Sequence, residues 1–209
     1  MTLHNKHFLH RQEVSTKLSY ELMEKLFNLK KIKFFQKAVI EADKSGIDYF
    51  FRWTDGDQDP NNSQLIKAQF KNREDKYQDV PISRFQPFYG VGHQRSKDGR
   101  DYRALRDKMN DVYLTAIKPD GVNYSEILVI NSTKLFNLVL EAEKEWFSDS
   151  TPWAYIDALA CDKINKNDKK LKKASNGVEA WFKRTKSEKA AKINMYVPRD
   201  YVDYSIKIC

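Results

Sequence analysis

The sequence predicts an α/β fold with a mixed central sheet, and three stretches carry that prediction. Residues 11–29 (RQEVSTKLSYELMEKLFNL) place Val14, Leu18, Leu22, Leu26 and Leu29 on one helical stripe, with Met23 at its edge. Residues 32–73 then give three apolar runs, IKFFQKAVI, GIDYFFRW and QLIKAQFKNR, parted by Gly, Asp, Pro and Asn, as consecutive strands would be. Finally DVYLTAIK and YSEILVIN flank a Pro-Asp-Gly turn and lead into a helix capped by Ser132 or Thr133, whose apolar face is Leu135, Leu138, Val139, Ala142 and Trp146.

Within the first strand group, 32–40 forms one strand and EADKSG a short turn. Gly46 opens the next run and Trp53, a core residue by default, ends it. In the third run Leu65, Lys67, Gln69 and Lys71 share one face, and Ile66, Ala68, Phe70 and Asn72 the other. Pairing these two runs antiparallel brings Asp48, Gln69 and Lys71 together, although each is costly to bury. A carboxylate, an amide oxygen and an ammonium at one place suit a hard divalent cation beside a general acid/base. Asp43 is a rival carboxylate, but it falls in the turn. An ordinary half-exposed hairpin with surface charges accounts for the same residues.

With 209 residues, 41% hydrophobic and 13% aromatic, the chain suffices for one elaborated domain with its own core. At 32% charged, with no apolar run near the roughly 20 residues that span a bilayer, it predicts no membrane partner. MTLHNKHFLHRQ lacks a signal-peptide core, and Cys161 and Cys209 make no disulfide framework, so a cytoplasmic location is expected. The net charge of +8 leans toward polyanions, as would a merely lysine-rich surface.

The words GIDYFF and IKAQFKNR, with Asp48 followed by Gln69-Phe70-Lys71, resemble the PD-(D/E)xK nuclease superfamily in the variant where Gln replaces the second acidic residue. The resemblance spans about residues 11–145 and implies a restriction-endonuclease-like α-β-β-β-α-β core. It implies hydrolysis of phosphodiester bonds, in DNA, with Mg²⁺ or Mn²⁺. Asp48, Gln69 and the backbone carbonyl of Phe70 would be the ligands, and Lys71 would position or activate the attacking water. The family often adds a Glu from the first helix. At about 100° per residue, Glu21 sits at the rim of the apolar stripe while Glu13 and Glu24 point away, so Glu21 is preferred. Gln69 leaves one negative charge fewer at the metal. An inactive nuclease-fold module that binds nucleic acid or a protein, such as an accessory protein of a mobile element, is therefore the alternative.

Residues 54–63 carry Asp55, Asp57 and Asp59 but lack the glycine and the terminal Glu of a calcium loop, and read as a turn. After Lys71, Pro81, Pro87, Gly90, Gly92 and Gly99 argue against a long regular element. There Arg84, His93, Arg95, Lys97, Arg100, Arg103 and Arg106 alternate with Phe85, Phe88, Tyr89 and Tyr102. Arginine with aromatic neighbours suits phosphate contact and base stacking, and Arg84, Arg95, Lys97, Arg100 and Arg103 are the candidate nucleic-acid contacts. Asp98, Asp101 and Asp107 dilute that charge.

A composition break at STPW divides the chain into a core over 1–147 and a basic C-terminal extension over 148–209 that packs on it. In the extension, PWAYIDALACDKI and VEAWFKRTKSEKAAK read as helices, KINKNDKKLKK as an exposed basic tract, and INMYVPRDYVDYSIKIC as one or two strands. His4, His7 and His10 read as part of an arm before the first helix. The reading allows a homodimer.

Overall fold

The computed structural model describes residues 17–54, 64–74, 79–85, 98–118, 123–146, 169–184 and 191–208. Asp55, Asp57, Asp59, the three N-terminal histidines, His93, Arg95, Lys97, the Pro-Asp-Gly turn, the expected helix after Pro152, Cys161 and Cys209 lie outside those residues.

Helix α1 covers 17–28, and its apolar stripe is as spaced: Leu22, Met23 and Leu26 are buried. Met23 lies in the core rather than at its edge. Leu29 falls past the helix end, beside Lys30 at positive φ, where helical phase no longer applies, and it is exposed. Strand β1 (Ile32–Lys37) stops short of the expected Ile40; Ile40–Lys44 is instead a helical turn, α2. Gly46, at φ +91, closes that turn, and a Cβ there would lie 2.4 Å from the Cβ of Ala104.

Strands β2 (Tyr49–Trp53) and β3 (Ile66–Glu74) follow as expected, as do β5 (Val112–Lys118) and β6 (Glu126–Asn131). With β10 (Tyr204–Lys207) they form a six-stranded sheet in the order β1-β2-β3-β5-β6-β10. Every neighbouring pair is antiparallel except β3 and β5, which run parallel, so the sheet is mixed and the chain must cross over between those two strands. The crossover passes through β4 (Asp79–Phe85) and helix α3 (Arg100–Arg106), regular elements where prolines and glycines argued for loop. Pro81 is tolerated because β4 is an edge strand of the second sheet.

That second sheet is antiparallel, in the order β4-β9-β8-β7, with β7 at Lys169–Lys173, β8 at Glu179–Arg184 and β9 at Ala191–Pro198. The expected helix at Val178 and beyond is corrected to strand. Pairing of β8 on both edges outweighs the helix-forming composition of its sequence. Part of the expected basic tract is likewise strand β7. Because β9 pairs with β4 and β10 with β6, the described residues after 148 contribute strands to both sheets, in place of the expected helical extension laid on a core.

Helix α4 (Ser132–Trp146) buries Leu135, Leu138, Val139 and Ala142. Its cap is Asn131, one residue before the expected Ser132 or Thr133: Asn131 Oδ1 accepts from the N–H groups of Thr133 (2.9 Å) and Lys134 (3.1 Å). Two apolar layers result. One face of the first sheet (Tyr49, Phe51, Ala68, Phe70, Leu114, Val129) packs on α1. The other (Tyr113, Ile130) packs on α3, α4 and the second sheet.

Gly99, the residue before α3, seats that helix on β4: a Cβ there would lie 2.1 Å from the Ser83 carbonyl oxygen, a backbone atom that cannot step aside. Gly99→Ala should lower stability by about 2 kcal/mol or more, within the range of overpacking. An unchanged midpoint in urea unfolding would show that α3 is not fixed there.

Candidate functional site

Asp48 is the residue immediately before β2, and the pairing of Tyr49 with Ala68 sets it beside Gln69. Alternation along β3 puts Gln69 and Lys71 on the face that looks toward α3, and Phe70 on the face that looks toward α1. Gln69 Nε2 donates to Asp48 Oδ2 at 2.5 Å, and the Phe70 backbone N–H donates to the same oxygen at 2.7 Å. Asp48, Gln69 and Lys71 thus meet at the start of β2, as the spacing predicts.

Helix α3 supplies the groups that sequence reading missed. Lys71 Nζ lies 2.8 Å from Asp101 Oδ1, and Asp101 is almost fully enclosed. Its other oxygen accepts the Ser83 N–H at 3.0 Å. Arg100, expected at a nucleic-acid surface, reaches back instead: its Nη1 donates to Asp43 Oδ1 at 3.0 Å, and its Nε lies 3.8 Å from Asp101. Tyr113, fully buried on β5 opposite Gln69, donates to the Pro81 carbonyl at 3.0 Å. A readable signal for α3 existed in Tyr102 and Leu105, three apart after Asp98-Gly99, a helix start hidden by the surrounding charge.

Three carboxylates (Asp43, Asp48, Asp101) therefore face two cations (Lys71, Arg100), and the excess negative charge rests on Asp48. Burial pushes its pKa up to about 6, outweighing the opposing pull of Lys71, Arg100 and the Phe70 N–H. Asp101 goes the other way: burial alone would raise it, but Lys71, the Ser83 N–H and Arg100 together hold it below the usual carboxylate range. Burial, with Asp101 and Asp48 nearby, keeps the Tyr113 phenol well above its ordinary value. A carboxylate titrating near neutrality beside cations is equipped to move protons.

The expected contacts divide. Glu21 is not brought to the site: α1 lies across the sheet, and Glu21 is half-exposed, 4.0 Å from Lys17. Helical phase alone could not tell which sheet face α1 covers. Arg84 is corrected too. It is 4% exposed, holds Asp98 at 2.6 Å and Glu143, and lies 3.6 Å over the Tyr102 ring. It is an interior clamp on α3 and α4, not a phosphate contact. Arg103 is exposed on α3.

Among the described residues no group of three or more His, Cys, Asp or Glu is placed to hold a metal ion. An ion here would rest on Asp48 and neutral oxygens. Gln69 Oε1 is buried without a partner, wedged where a Cβ on Gly46 would lie 3.2 Å away. Turning the amide over would set Oε1 against Asp48 Oδ2, an acceptor pair that needs a proton or cation between them. The Phe70 carbonyl lies on the same strand edge as its N–H. One anionic oxygen, from Asp48, and two neutral ones make a donor set of the chemistry a hard divalent ion takes.

The charge on Asp48 also makes a stability prediction. With the folded pKa at about 6 and the ordinary value 3.8, the native state holds the extra proton between those values, so stability falls as pH rises through that window. Asp48→Asn should therefore stabilise the protein above pH 6, by up to about 3 kcal/mol at 1.36 kcal/mol per pH unit. The gap should close toward pH 4. Thermal unfolding of both proteins across that range checks it; a constant gap would mean that Asp48 carries no buried charge.

Comparison with protein-family models, with curated proteins and with solved structures finds no match for this chain.

Proposed function

We propose that this chain hydrolyses phosphodiester bonds in nucleic acid, DNA first, with Mg²⁺ or Mn²⁺ at Asp48. The observation that carries the reading is Asp48: among the described residues it is the carboxylate of the cluster with no direct ion pair, tied to Gln69 and Phe70, with Lys71 and Arg100 near enough to pull its pKa down against burial. The element order supports it as well. The series α1, β1, β2, β3, α3, β5, with β1 to β3 antiparallel and β5 parallel to β3, follows the α-β-β-β-α-β order of the restriction-endonuclease-like core. It departs from that order by the helical turn α2 between β1 and β2, and by β4, which joins the second sheet.

In this reading Asp48, Gln69 Oε1 and the Phe70 carbonyl hold the ion, which supplies Lewis-acid polarisation of the phosphate. Lys71, held by Asp101, presents its ammonium to the reacting phosphate, and Arg100 offers a second cation against developing charge. One observation favours a binding-only module: Gln69 gives the site one anionic ligand fewer.

Plasmid, single-stranded DNA and RNA incubated with Mg²⁺, Mn²⁺ or EDTA decide between the two. Asp48→Ala should abolish metal-dependent cleavage while the fold persists, and Lys71→Ala should cut turnover by about 10²-fold or more with little change in binding. Activity above half of wild type in Asp48→Ala would remove the catalytic assignment.

Gln69→Glu gives a readout apart from cleavage. A second buried carboxylate against Asp48 should destabilise the metal-free protein and tighten Mn²⁺ binding by about one to two orders of magnitude. The shift in Tm on adding Mn²⁺ should grow accordingly. If calorimetry finds equal Mn²⁺ affinity for both proteins, Gln69 does not face an ion.

A further inference from the structure

The sheet face that carries Gln69 and Lys71 is covered over only part of its width. On β5 and β6 it is buried under α3, α4 and the second sheet. On β1, β2 and the start of β3 no described element packs on it. Register places Phe34 beside Arg52, Gln36 beside Phe50, and Phe50 beside Lys67, so all five side chains lie on this face together with Asp48. Phe34 is 40% exposed, Phe50 partly exposed, and Gln36, Arg52 and Lys67 exposed; Leu65, just before β3, is 40% exposed on the same side.

This composition is unusual for an uncovered sheet. Two phenylalanines, diagonal across β1 and β2 and so roughly 7–8 Å apart, stand in water between two long cations. Neither Arg52 nor Lys67 has an ion pair among the described residues, whereas Lys71, farther along β3, and Arg100, on α3, are both paired. Asp48 is bonded to Gln69 and Phe70, and Asp111 accepts the Lys67 backbone N–H at 2.8 Å. Aromatic rings accept the π-faces of unpaired bases, and unpaired cations between them accept phosphates. A duplex keeps its base faces stacked inside and cannot use the rings.

We propose that this open face of β1, β2 and β3 binds single-stranded nucleic acid, with Phe34 and Phe50 stacking bases and Arg52 and Lys67 contacting the phosphates, and leads the strand to Asp48. The inference rests on the phosphodiesterase reading for its class of ligand and specifies that class as single-stranded, but it is tested without cleavage.

A fluorescein-labelled oligothymidylate and a labelled duplex of equal length, titrated with the full chain in EDTA across a salt series, provide the measurement. Wild type should bind the single strand more tightly than the duplex. Phe34→Ala should lose about tenfold in single-strand affinity, the range for one stacked base, and Phe34→Trp should keep it. Arg52→Ala and Lys67→Ala should each flatten the log–log salt slope by about 0.7. Because Phe34 and Arg52 are on the surface, these variants fold whatever becomes of Phe50→Ala.

Single-strand affinity and slope unchanged in Phe34→Ala and Arg52→Ala would overturn the proposal, as would a preference for duplex or no binding at all. A dimer in sedimentation that Phe34→Ala dissociates would assign the face to a second copy and overturn it too. Binding through this face with no cleavage under Mg²⁺ or Mn²⁺ removes the hydrolytic reading and leaves the surface standing. Cleavage with binding indifferent to Phe34 does the reverse.

Discussion

The contact on which the site depends is the ion pair of Lys71 with Asp101. Taking a carboxylate almost wholly out of water is expensive, and a buried pair rarely returns more than it costs. Asp101 is tolerable there because Lys71, the Ser83 N–H and Arg100 share its charge. That one carboxylate thereby joins three elements: β3 in the first sheet, β4 in the second, and α3. Gly99 permits the close approach of α3 to β4, and Arg84 on β4 ties the start of α3, through Asp98, to α4, through Glu143. Neither sheet contributes the site alone; it sits where the crossover between two parallel strands is bolted to both.

The same pair decides the electrostatics of its neighbour. With Lys71 in direct contact with Asp101 and Arg100 with Asp43, Asp48 has no direct ion pair among the described residues, and its hydrogen bonds there come from the amide of Gln69 and the N–H of Phe70. Neutral donors stabilise a carboxylate less than an ion pair does, and burial then wins. A fold selected for stability alone would place an Asn at this position. Retaining an aspartate there is the kind of local cost that functional sites carry.

Much of this was legible in the sequence, and the boundary has physical causes. Period-two alternation in β3 and the glycine-opened β2 fixed which residues of the motif share a face, because register leaves no freedom once two strands pair. The hairpin of β5 and β6 and the face of α4 were equally plain. What failed was tertiary. Arg84 read as a surface cation because sequence shows charge but not the carboxylate, Glu143, that folds onto it from 59 residues away. Nor could it show that Arg100, which stays partly exposed, pairs with Asp43 from 57 residues away. Glu21 failed because helical phase is blind to which side of a sheet the helix will cover. The strands β7 and β8 were missed because a run of Lys, Glu and Ala shows no strand pattern until partners are supplied: β8 gains β7 on one edge and β9 on the other, and β7 pairs only with β8.

The two faces of the first sheet show how division of labour follows from one alternation. On one alternation of β2 and β3, Tyr49, Phe51, Ala68 and Phe70 are apolar and buried in the core with α1, which holds the strands rigid. The intervening set, Asp48, Phe50, Arg52, Lys67, Gln69 and Lys71, has no such duty. Arg52 and Lys67 are exposed toward β1, while Gln69 is enclosed toward α3. A rigid floor of this kind suits chemistry at its enclosed end and recognition along its open one, since side chains on strands are positioned more sharply than those on loops. Placing Asp48 at the junction of the two puts the most perturbed carboxylate where a strand lying on the open half would end.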